Sequence, residues 1–339
     1  MIKKILDQPE IFQLRIPLPN NPLRNLNCYV MKTESGNLVV DTGFNQTECF
    51  EALSQGLEML SIDMDRTTLF LTHLHSDHIG LVEKIRSSKT RVIMGETDYR
   101  YFEKILDGKT WQEYDKRFLQ EGFPEEDLIA QAKINPAIIY APKKTFEATL
   151  LKDTDVFFIG NLEFECVHTP GHTPGHTCLY LRNEKIMFLG DHVLFDITPN
   201  ITAWPDIEDS LGDYLKSLDR IGDYDIKVQL PAHRKVEISV YERIDQLKQH
   251  HVERLAEIID IIKNKDDQNA YVIASQLKWS MRGKDWSEFP IQQKWFAVGE
   301  TMSHLDYLRK KGLIYQIEKN QSISYQITTA LTEKKDDNK

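Results

Sequence analysis

Short apolar runs alternate with amphipathic stretches along the first part of the chain. The short runs are rich in Val, Ile and Leu, and runs of that length and composition are typical of buried strands. These predicted strands cover residues 11–18, 27–31, 37–40, 68–71 and 91–94. Residues 46–60 and 79–85 carry apolar side chains at helical spacing, so each is predicted to form a helix between two strands. The alternation predicts sheets that are covered by helices.

From about residue 96 to residue 145 the pattern changes to three successive helices, predicted over 97–106, 111–119 and 124–132. This block interrupts the strands on either side of it, so we predict a helical insertion of the kind that caps a site. Its aromatic side chains either line a substrate pocket or dock the helices onto the body, and docking is favoured for most of them. These aromatic residues are Tyr99, Tyr101, Phe102, Trp111, Tyr114 and Phe118.

Strands resume after the insertion, and the chain ends in helices followed by a hairpin. The later strands are predicted over 156–159, 162–167, 178–181, 185–189 and 228–230. The terminal helices are predicted over 240–262, 271–279 and 298–310, and the hairpin pairs 312–317 with 322–327. We therefore predict a first domain over residues 1–239, a second domain over 240–332 and a charged disordered tail over 333–339.

The composition is that of an ordinary globular protein, with 41% hydrophobic and 28% charged residues. A net charge of −10 argues against nucleic acid as a partner, because such binding depends on Lys and Arg neutralising phosphates. The four cysteines are scattered without a Cys-x-x-Cys pair and are expected to be buried apolar residues of a reducing compartment. Neither a signal peptide nor a membrane-spanning run is evident, so a cytoplasmic protein without membrane contact is expected.

One loop carries most of the candidate chemistry, the stretch THLHSDH over residues 72–78 that follows a predicted strand. His73 and His75 are two residues apart and can point the same way while the chain is extended, so both can reach one ion. Asp77 and His78 follow where the chain turns, and they can face a second point nearby. Three imidazoles and a carboxylate suit zinc, iron or manganese better than a metal that prefers thiolates. A polar loop whose histidines only hydrogen-bond to neighbours is the less favoured interpretation.

Polar residues of the same kind end other strands. His172 lies in a Thr-Pro-Gly-His loop, whose Pro-Gly pair predicts a rigid turn. Asp191 ends an apolar strand, where its carboxylate can place one oxygen on each of two ions, and His233 follows another apolar run. Asp41, at the end of an earlier strand, is either a turn former or a carboxylate that orients a metal-bound histidine, and on its own neither interpretation is preferred.

Together these motifs resemble the metallo-β-lactamase superfamily, the group that includes glyoxalase II. The resemblance rests on the His-x-His-x-Asp-His loop, a later Pro-Gly-His, a strand-final Gly-Asp and a last Leu-Pro-x-His, in the family's order over residues 11 to 240. Asp41-Thr42-Gly43 is also similar to the family's Asp-x-Gly turn, which favours the orienting role for Asp41. The resemblance implies an α+β fold, a four-layered αβ/βα sandwich with its site at one edge between two mixed sheets.

The resemblance also implies two divalent metal ions, with zinc expected and iron or manganese as alternatives. The implied ligands are His73, His75 and His172 for one ion, Asp77, His78 and His233 for the other, and Asp191 as the bridge between them. Asp77, His233 and Asp191 are the residues expected to carry the catalysis.

Several neighbouring residues do not match ligand positions of the family. His168 and His176 are interpreted as structural or as supporting the ligands, and His192 as a supporting residue that can also touch substrate. Leu81 and Ala232 stand where the family commonly has glycine, and neither change removes a ligand.

The helices and hairpin after residue 240 resemble the small winged-helix domain attached to some members of this superfamily. From residue 240 to residue 339 there are 16 Lys or Arg against 15 Asp or Glu, and 309–311 is the small basic cluster of this segment. Because a winged-helix fold does not by itself imply DNA binding, packing on the catalytic domain or homodimerisation is favoured over a nucleic-acid partner.

Two ions that share a carboxylate would lower the pKa of a water held between them and polarise a carbonyl or phosphoryl oxygen. The predicted activity is hydrolysis by metal-bound hydroxide of a small-molecule ester, thioester or lactone, without a covalent intermediate. The alternatives are a metal-dependent ribonuclease or phosphodiesterase and, from outside enzymology, a metal-bound sensor or DNA-binding regulator.

Overall fold

Two mixed β-sheets build the first of two compact units into which the chain divides, in a computed structural model that describes residues 2–280 and 285–328. This first unit comprises the residues up to Asp107, Pro136–Pro199 and Ser217–Ile244. Its larger sheet contains, side by side in chain order, β1 (Ile2–Asp7), β2 (Glu10–Pro17), β3 (Asn25–Lys32), β4 (Asn37–Val40), β5 (Thr67–Leu71), β6 (Arg91–Gly95) and β7 (Thr149–Leu151). Its smaller sheet contains, also in chain order, β8 (Val156–Ile159), β9 (Leu162–His168), β10 (Thr177–Leu181), β11 (Ile186–Gly190) and β12 (Val228–Pro231).

Each sheet combines antiparallel and parallel pairs. The neighbours from β1 to β4 are antiparallel, whereas β4, β5, β6 and β7 run parallel. In the smaller sheet β8 to β11 are antiparallel, and β11 and β12 are parallel. Parallel pairs need a crossover, so helices lie between these strands in the chain.

The helices of the described residues, together with one 3-10 turn at Met64–Arg66, differ widely in length. They are α1 (Thr47–Met59), α2 (Ser76–Ile79), α3 (Val82–Ile85), α4 (Glu96–Leu106), α5 (Lys109–Gln120), α6 (Glu125–Ala132), α7 (Pro136–Ile139), α8 (Ser210–Gly222), α9 (Val240–Asn264), α10 (Ala270–Gln276) and α11 (Ile291–Lys310). None of the helices in the described ranges is both long enough and apolar enough to cross a lipid bilayer.

The inner faces of the two sheets share one apolar core, in which Phe70 of β5 stacks on Phe157 of β8 with ring centroids 6.3 Å apart. Helix α1 covers the outer face of the larger sheet. A Cβ on its Gly56 would lie only 2.8 Å from Leu14 of β2, so the absence of a side chain allows this close approach. The predicted sandwich of two mixed sheets is therefore present, and buried strand faces explain the short apolar runs.

The second unit comprises Gly108–Asn135, Asn200–Lys216 and the residues from Asp245 onward. Its hairpin pairs β13 (Ile314–Lys319) with β14 (Ser322–Ile327) in antiparallel register. Phe118 of α5 stacks on Trp295 of α11, with ring centroids 5.2 Å apart. Arg117 of α5 pairs with the buried Asp306 of α11 at 2.9 Å. These contacts make α5 part of this unit's core.

The sequence assigned the whole helical insertion to the catalytic domain, whereas the structure groups Gly108–Asn135 with the C-terminal unit. The reason is long-range packing, which the local pattern does not contain. Three aromatic residues of the insertion pack against other rings of their own unit. Tyr99 and Phe102 pack on Phe146 in the first unit, and Tyr114 packs on Trp295 in the second.

Several elements differ from the sequence prediction. The helix expected over 79–85 is two short helices, α2 and α3, and α2 begins at Ser76. Helices α7 and α8 and strands β1 and β7 were not predicted. The C-terminal helices and hairpin are present, but their assignment as a winged helix stays a prediction, and the tail over 333–339 lies outside the described residues.

Candidate metal centre

Four segments of the first unit bring the predicted site residues together. The 72–78 segment follows β5, and the loop that carries His172 connects β9 to β10. Asp191 follows β11, and His233 follows β12. Because β11 and β12 are parallel, their ends lie at the same edge of the smaller sheet, and both sheets supply residues to this edge.

The loop that carries His233 is held by β3. Asn27 donates from its side chain to the Pro231 carbonyl at 3.1 Å and to the Arg234 carbonyl at 2.9 Å. The hydroxyl of Tyr29 donates to the same Pro231 carbonyl at 2.8 Å. The larger sheet thereby fixes a histidine that belongs to the smaller one.

Three imidazoles form a first cluster. The Nε2 atom of His73 lies 3.1 Å from Nδ1 of His75, and Nε2 of His172 lies 3.0 Å from the same Nδ1. Ligand nitrogens of a tetrahedral zinc, each about 2.0–2.1 Å from the metal, are separated by about 3.3 Å. The three nitrogens therefore have nearly the mutual spacing of ligands to one ion.

A second cluster is built from the remaining residues. Nε2 of His233 lies 3.3 Å from Oδ2 of Asp77 and 3.3 Å from Oδ1 of Asp191. Nε2 of His78 lies 3.7 Å from the same Asp77 oxygen and 3.6 Å from the same Asp191 oxygen. The other oxygen of Asp191, Oδ2, is 3.6 Å from Nε2 of His172 in the first cluster. One carboxylate therefore faces both clusters, with one oxygen toward each.

The atoms of the second cluster are buried without hydrogen-bond partners among the described residues. They are Oδ2 of Asp77, Nε2 of His78, Oδ1 of Asp191 and Nε2 of His233. Burying polar atoms without partners costs free energy, and native proteins leave few of them. Three of these residues, Asp77, His78 and His233, lie close enough together to hold one cation, and the nitrogen and oxygen donors suit a divalent metal of the zinc type.

Hydrogen bonds on the far side of the histidines select the nitrogen that faces inward. Nδ1 of His78 lies 2.8 Å from Oδ2 of Asp41, and a carboxylate can only accept there, so this nitrogen carries the proton. Nδ1 of His233 donates to the Asn25 carbonyl at 2.8 Å in the same way. Asp41 also accepts from the backbone N–H of Thr72 at 2.9 Å. In its neutral form each of these histidines therefore presents a bare Nε2 to the second cluster.

The two clusters differ in their electrostatics. Burial lowers the pKa of His73 well below its ordinary value and that of His75 to about 3, and neighbouring imidazoles add to the effect. Burial also acts against the charged form of His78, but three nearby carboxylates outweigh it and raise its pKa to about 9. His73 and His75 are therefore neutral bases, the form that binds metals. The second cluster has excess negative charge that a cation would offset.

A family model described as the metallo-beta-lactamase superfamily matches residues 22–233, more than half of the chain. The chain belongs to this superfamily. It is 26% identical over 275 residues to a beta-lactamase-like protein 2 homolog of Caenorhabditis elegans, covering 78% of this chain and 77% of that protein. It is 25% identical over 219 residues to an atrochrysone carboxyl ACP thioesterase of Emericella nidulans, covering 65% of this chain and 54% of that protein.

A solved structure shares the fold over nearly the whole length. A metallo-beta-lactamase family protein of Thermus thermophilus has a TM-score of 0.76 at 26% identity, covering 94% of this chain and 98% of that one. Members of the superfamily are hydrolases, so the fold and the clusters together indicate a metal-dependent hydrolase.

Two of the other histidines named from the sequence, His176 and His192, lie beside the clusters. Nε2 of His176 accepts from the backbone N–H of Asp191 at 3.1 Å, and its Nδ1 lies 2.8 Å from Oγ1 of Thr169. His176 therefore supports the bridging carboxylate from behind. His192 is fully buried beside the ring of His176, with ring centroids 5.9 Å apart. That position suits support better than contact with substrate.

Sequence reasoning missed Asp98, a fully buried residue in the first turn of α4. Burial raises its pKa to about 6, against three hydrogen bonds that favour the carboxylate. It accepts from the backbone N–H of Leu74, between the first two histidines, and from Oγ1 of Thr173, next to His172. An Asp in a first helical turn is common, so its sequence carried no signal of these distant partners.

Proposed function

We propose that this protein is a dinuclear metal-dependent hydrolase that cleaves acyl thioesters of small molecules. The observation that carries the proposal is Asp191, whose two carboxylate oxygens face two separate clusters of buried donor atoms. A single structural ion would need only one cluster, and a hydrogen-bonding loop would not leave donor atoms without partners.

The proposed ligands follow from the grouping of donor atoms. One ion would be held by His73, His75 and His172, the other by Asp77, His78 and His233, with Asp191 shared between them. Zinc is the ion we favour, because neutral imidazoles and carboxylates are its ordinary ligands. When bound, such ions supply an activated water at neutral pH and polarise the carbonyl of a substrate.

The residues of the chain would hold the two ions and orient their ligands. Asp191 would contribute one oxygen to each position. Asp77 and His233 would hold the second position, and Asp41 would keep the single proton of neutral His78 on Nδ1. These are the roles we assign to the residues expected to carry catalysis.

The described cysteines are unsuited to act as a nucleophile. All four cysteines are buried. Burial raises the pKa of Cys49 to about 11 and the pKa of Cys166 and of Cys178 to about 12, so these thiols stay protonated at neutral pH. This supports direct hydrolysis over a route through a thioester intermediate on the enzyme.

The leaving group favours thioesters over oxygen esters. A thiol has an ordinary pKa near 8.5, so a thiolate departs at neutral pH without a proton donor, whereas an alkoxide is far more basic. The imidazoles and carboxylates that converge in the described site are assigned to ions or to holding their ligands, which leaves none to protonate a leaving group. The thioesterase among the relatives supports the same substrate class.

A nucleic-acid substrate is not favoured by the basic cluster of the second unit. Lys310 pairs with Glu208 at 2.9 Å, and Arg309 lies 3.9 Å from Asp306. Two of the three cations of this cluster therefore have acidic partners, which weakens their attraction for phosphates.

The decisive experiment measures thiol release from a panel of acyl thioesters and from the oxygen esters of the same acyl groups, with zinc-loaded protein. We expect turnover of thioesters well above that of the matched oxygen esters, and loss of turnover in Asp77→Ala. Asp63→Ala is the matched control, because Asp63 caps the 3-10 turn Met64–Arg66 and takes no part in the clusters.

Two results would contradict the proposal. Equal turnover of thioester and oxygen ester would remove the thioester assignment and leave the hydrolase. Salt-dependent cleavage of RNA without thioester turnover would replace the substrate class altogether.

A further inference from the structure

The first cluster takes its histidines from two loops that belong to different sheets. His73 and His75 lie in the loop after β5 of the larger sheet, and His172 lies in the loop before β10 of the smaller sheet. The 3.0 Å distance between Nε2 of His172 and Nδ1 of His75 therefore depends on how closely the two loops approach. A buried carboxylate lies between these loops.

Asp98 contacts both loops through its two oxygens. Oδ2 accepts from the backbone N–H of Leu74 at 2.9 Å and from Oγ1 of Thr173 at 2.6 Å. Oδ1 accepts from the backbone N–H of Gly175 at 2.5 Å. Leu74 separates the two histidines of one loop, and Thr173 directly follows the histidine of the other.

The second loop is packed against α4 so closely that only glycine fits. A Cβ on Gly175 would lie 2.3 Å from the backbone nitrogen of Asp98 and 2.7 Å from Cβ of Thr97. Backbone of one loop therefore touches backbone of the helix that presents the carboxylate. This arrangement leaves the carboxylate little freedom to follow a loop that moves.

We propose that Asp98 is a positioning residue that sets the distance between the two histidine loops and thereby the geometry of the first metal position. Its three hydrogen bonds go to residues close to the proposed ligands in the chain, two of them to backbone and one to the side chain of Thr173. This inference rests on the proposed metal centre, since the geometry it controls has meaning only if the three histidines bind an ion.

The conservative variant Asp98→Asn would break the hydrogen bonds to one of the two histidine loops while keeping those to the other. An amide has one acceptor oxygen and one donor nitrogen, so it cannot accept from Leu74 and from Gly175 at the same time. Whichever way the amide turns, its N–H₂ group faces a backbone N–H of one loop. One loop must then lose its anchor, while the size of the side chain is unchanged.

The experiment compares metal binding of wild type and Asp98→Asn by competition with a chromophoric chelator. We expect zinc affinity at one position to fall by about 10–100-fold, the range known for residues that orient metal ligands. The visible absorption of bound Co²⁺, which reports coordination geometry, should change for one ion and not for the other.

Glu165→Gln is the matched control. Glu165 is also a buried carboxylate of the first unit, accepting from Arg182 at 2.6 Å and from Tyr224 at 2.8 Å, without contact to either loop. We expect this variant to lose stability but to retain the affinity and Co²⁺ spectrum of the wild type. A general loss of packing would affect both variants alike.

A second pair of variants decides the matter should Asp98→Asn fail to fold. Thr173→Val removes one of the three hydrogen bonds at nearly constant volume, and Thr173→Ser keeps it. We expect weaker zinc binding in Thr173→Val and wild-type binding in Thr173→Ser.

The outcomes separate this inference from the function on which it rests. A wild-type protein that binds no zinc would remove the metal centre itself. A wild-type protein that binds zinc, with Asp98→Asn and Thr173→Val equal to it in affinity and in Co²⁺ spectrum, would overturn the positioning role and leave the metal centre intact.

Discussion

At the scale of single residues, Asp41 controls the protonation pattern of His78. Its backbone has φ 61°, in the left-handed region, where Asp and Asn are tolerated better than most residues. The conformation aims its carboxylate at Thr72 and at Nδ1 of His78. The left-handed backbone of Asp41 therefore places the carboxylate that selects the tautomer of neutral His78.

Asp41→Asn should weaken zinc binding by about 10–100-fold. Asn keeps the left-handed backbone, but its N–H₂ group opposite Nδ1 of His78 favours the tautomer that carries the proton on Nε2, which blocks that nitrogen as a ligand. Competition with a chelator measures the affinity. Asp63→Asn, at the cap of the 3-10 turn, serves as control and should bind zinc as the wild type does. Equal affinity of Asp41→Asn and wild type would refute the tautomer argument.

At this scale the sequence was most informative where chemistry repeats at strand ends. The His-x-His-x-Asp-His loop, His172, Asp191 and His233 each follow a short apolar run, and those runs fold as β5, β9, β11 and β12. Their side chains lie together because strand ends meet at a sheet edge. The sequence could not supply Asp98, because its partners lie 24 and 75 residues away and no local pattern marks them.

At the scale of elements, α11 buries polar as well as apolar side chains, so its sequence shows no distinct polar and apolar faces. Oε2 of Glu300 accepts from the side chain of Asn200 at 3.2 Å, and its other oxygen lies 3.9 Å from Nε of Arg254. Nδ1 of His304 donates to the backbone carbonyl of Glu300 at 2.7 Å. Burial raises the pKa of Glu300 to about 7, although Arg254 and Asn200 act in the opposite direction.

From this raised pKa we predict how Glu300→Gln changes the pH dependence of the free energy of unfolding. A carboxyl whose pKa is higher in the folded state stabilises the protein fully below its ordinary value of 4.5, and that contribution is lost as the pH rises through about 7. Gln is uncharged at every pH. From pH 4 to pH 8 the variant should therefore gain about 3 kcal/mol in free energy of unfolding relative to the wild type.

Urea denaturation at a series of pH values measures this difference. Glu253→Gln, at an exposed position of α9, is the control and should leave the pH dependence as in the wild type. A constant difference between Glu300→Gln and wild type from pH 4 to pH 8 would show that folding does not change the pKa of this carboxyl.

Element prediction failed where tertiary contacts override local signals. Helix α8 was not predicted, because Gly212 in its first turn is a poor helix former. The helix nevertheless has four fully buried residues at helical spacing, which are Leu211, Tyr214, Leu218 and Ile221. The helix after the histidine loop breaks near Gly80, where a Cβ would lie 2.6 Å from the backbone of Gly43 and of Asn45. Only the folded chain contains that constraint.

At the scale of the whole molecule, the proposed ligands all belong to the first unit, and all five tryptophans belong to the second. Zinc that binds only the folded form should stabilise the unit that holds it. At a free zinc concentration 100 times the dissociation constant, the gain is about 2.7 kcal/mol. Fluorescence reports the second unit, so amide hydrogen exchange is the readout suited to the first.

We expect zinc to slow amide exchange in peptides that contain β5, β10 and β11, and a chelator to reverse the effect. Asp77→Ala, with one ligand removed, should show a smaller change on adding zinc, because part of the binding free energy is lost. Exchange that is unaffected by zinc in these peptides would argue that the ions do not bind where the clusters lie.

The spread of the ligands along the chain has a consequence for synthesis in the cell. The first histidine of the set is residue 73 and the last is residue 233, so about 160 residues separate them. A chain leaving the ribosome would therefore carry an incomplete set of the proposed ligands over about 160 of its 339 residues, and the second position would be complete only after β12 and its histidine have emerged. Capture of the second ion would therefore wait until the last strand of the sandwich has been made. A nascent chain stalled just before His233 should bind zinc at the first position only, whereas one stalled well beyond it should bind zinc at both positions.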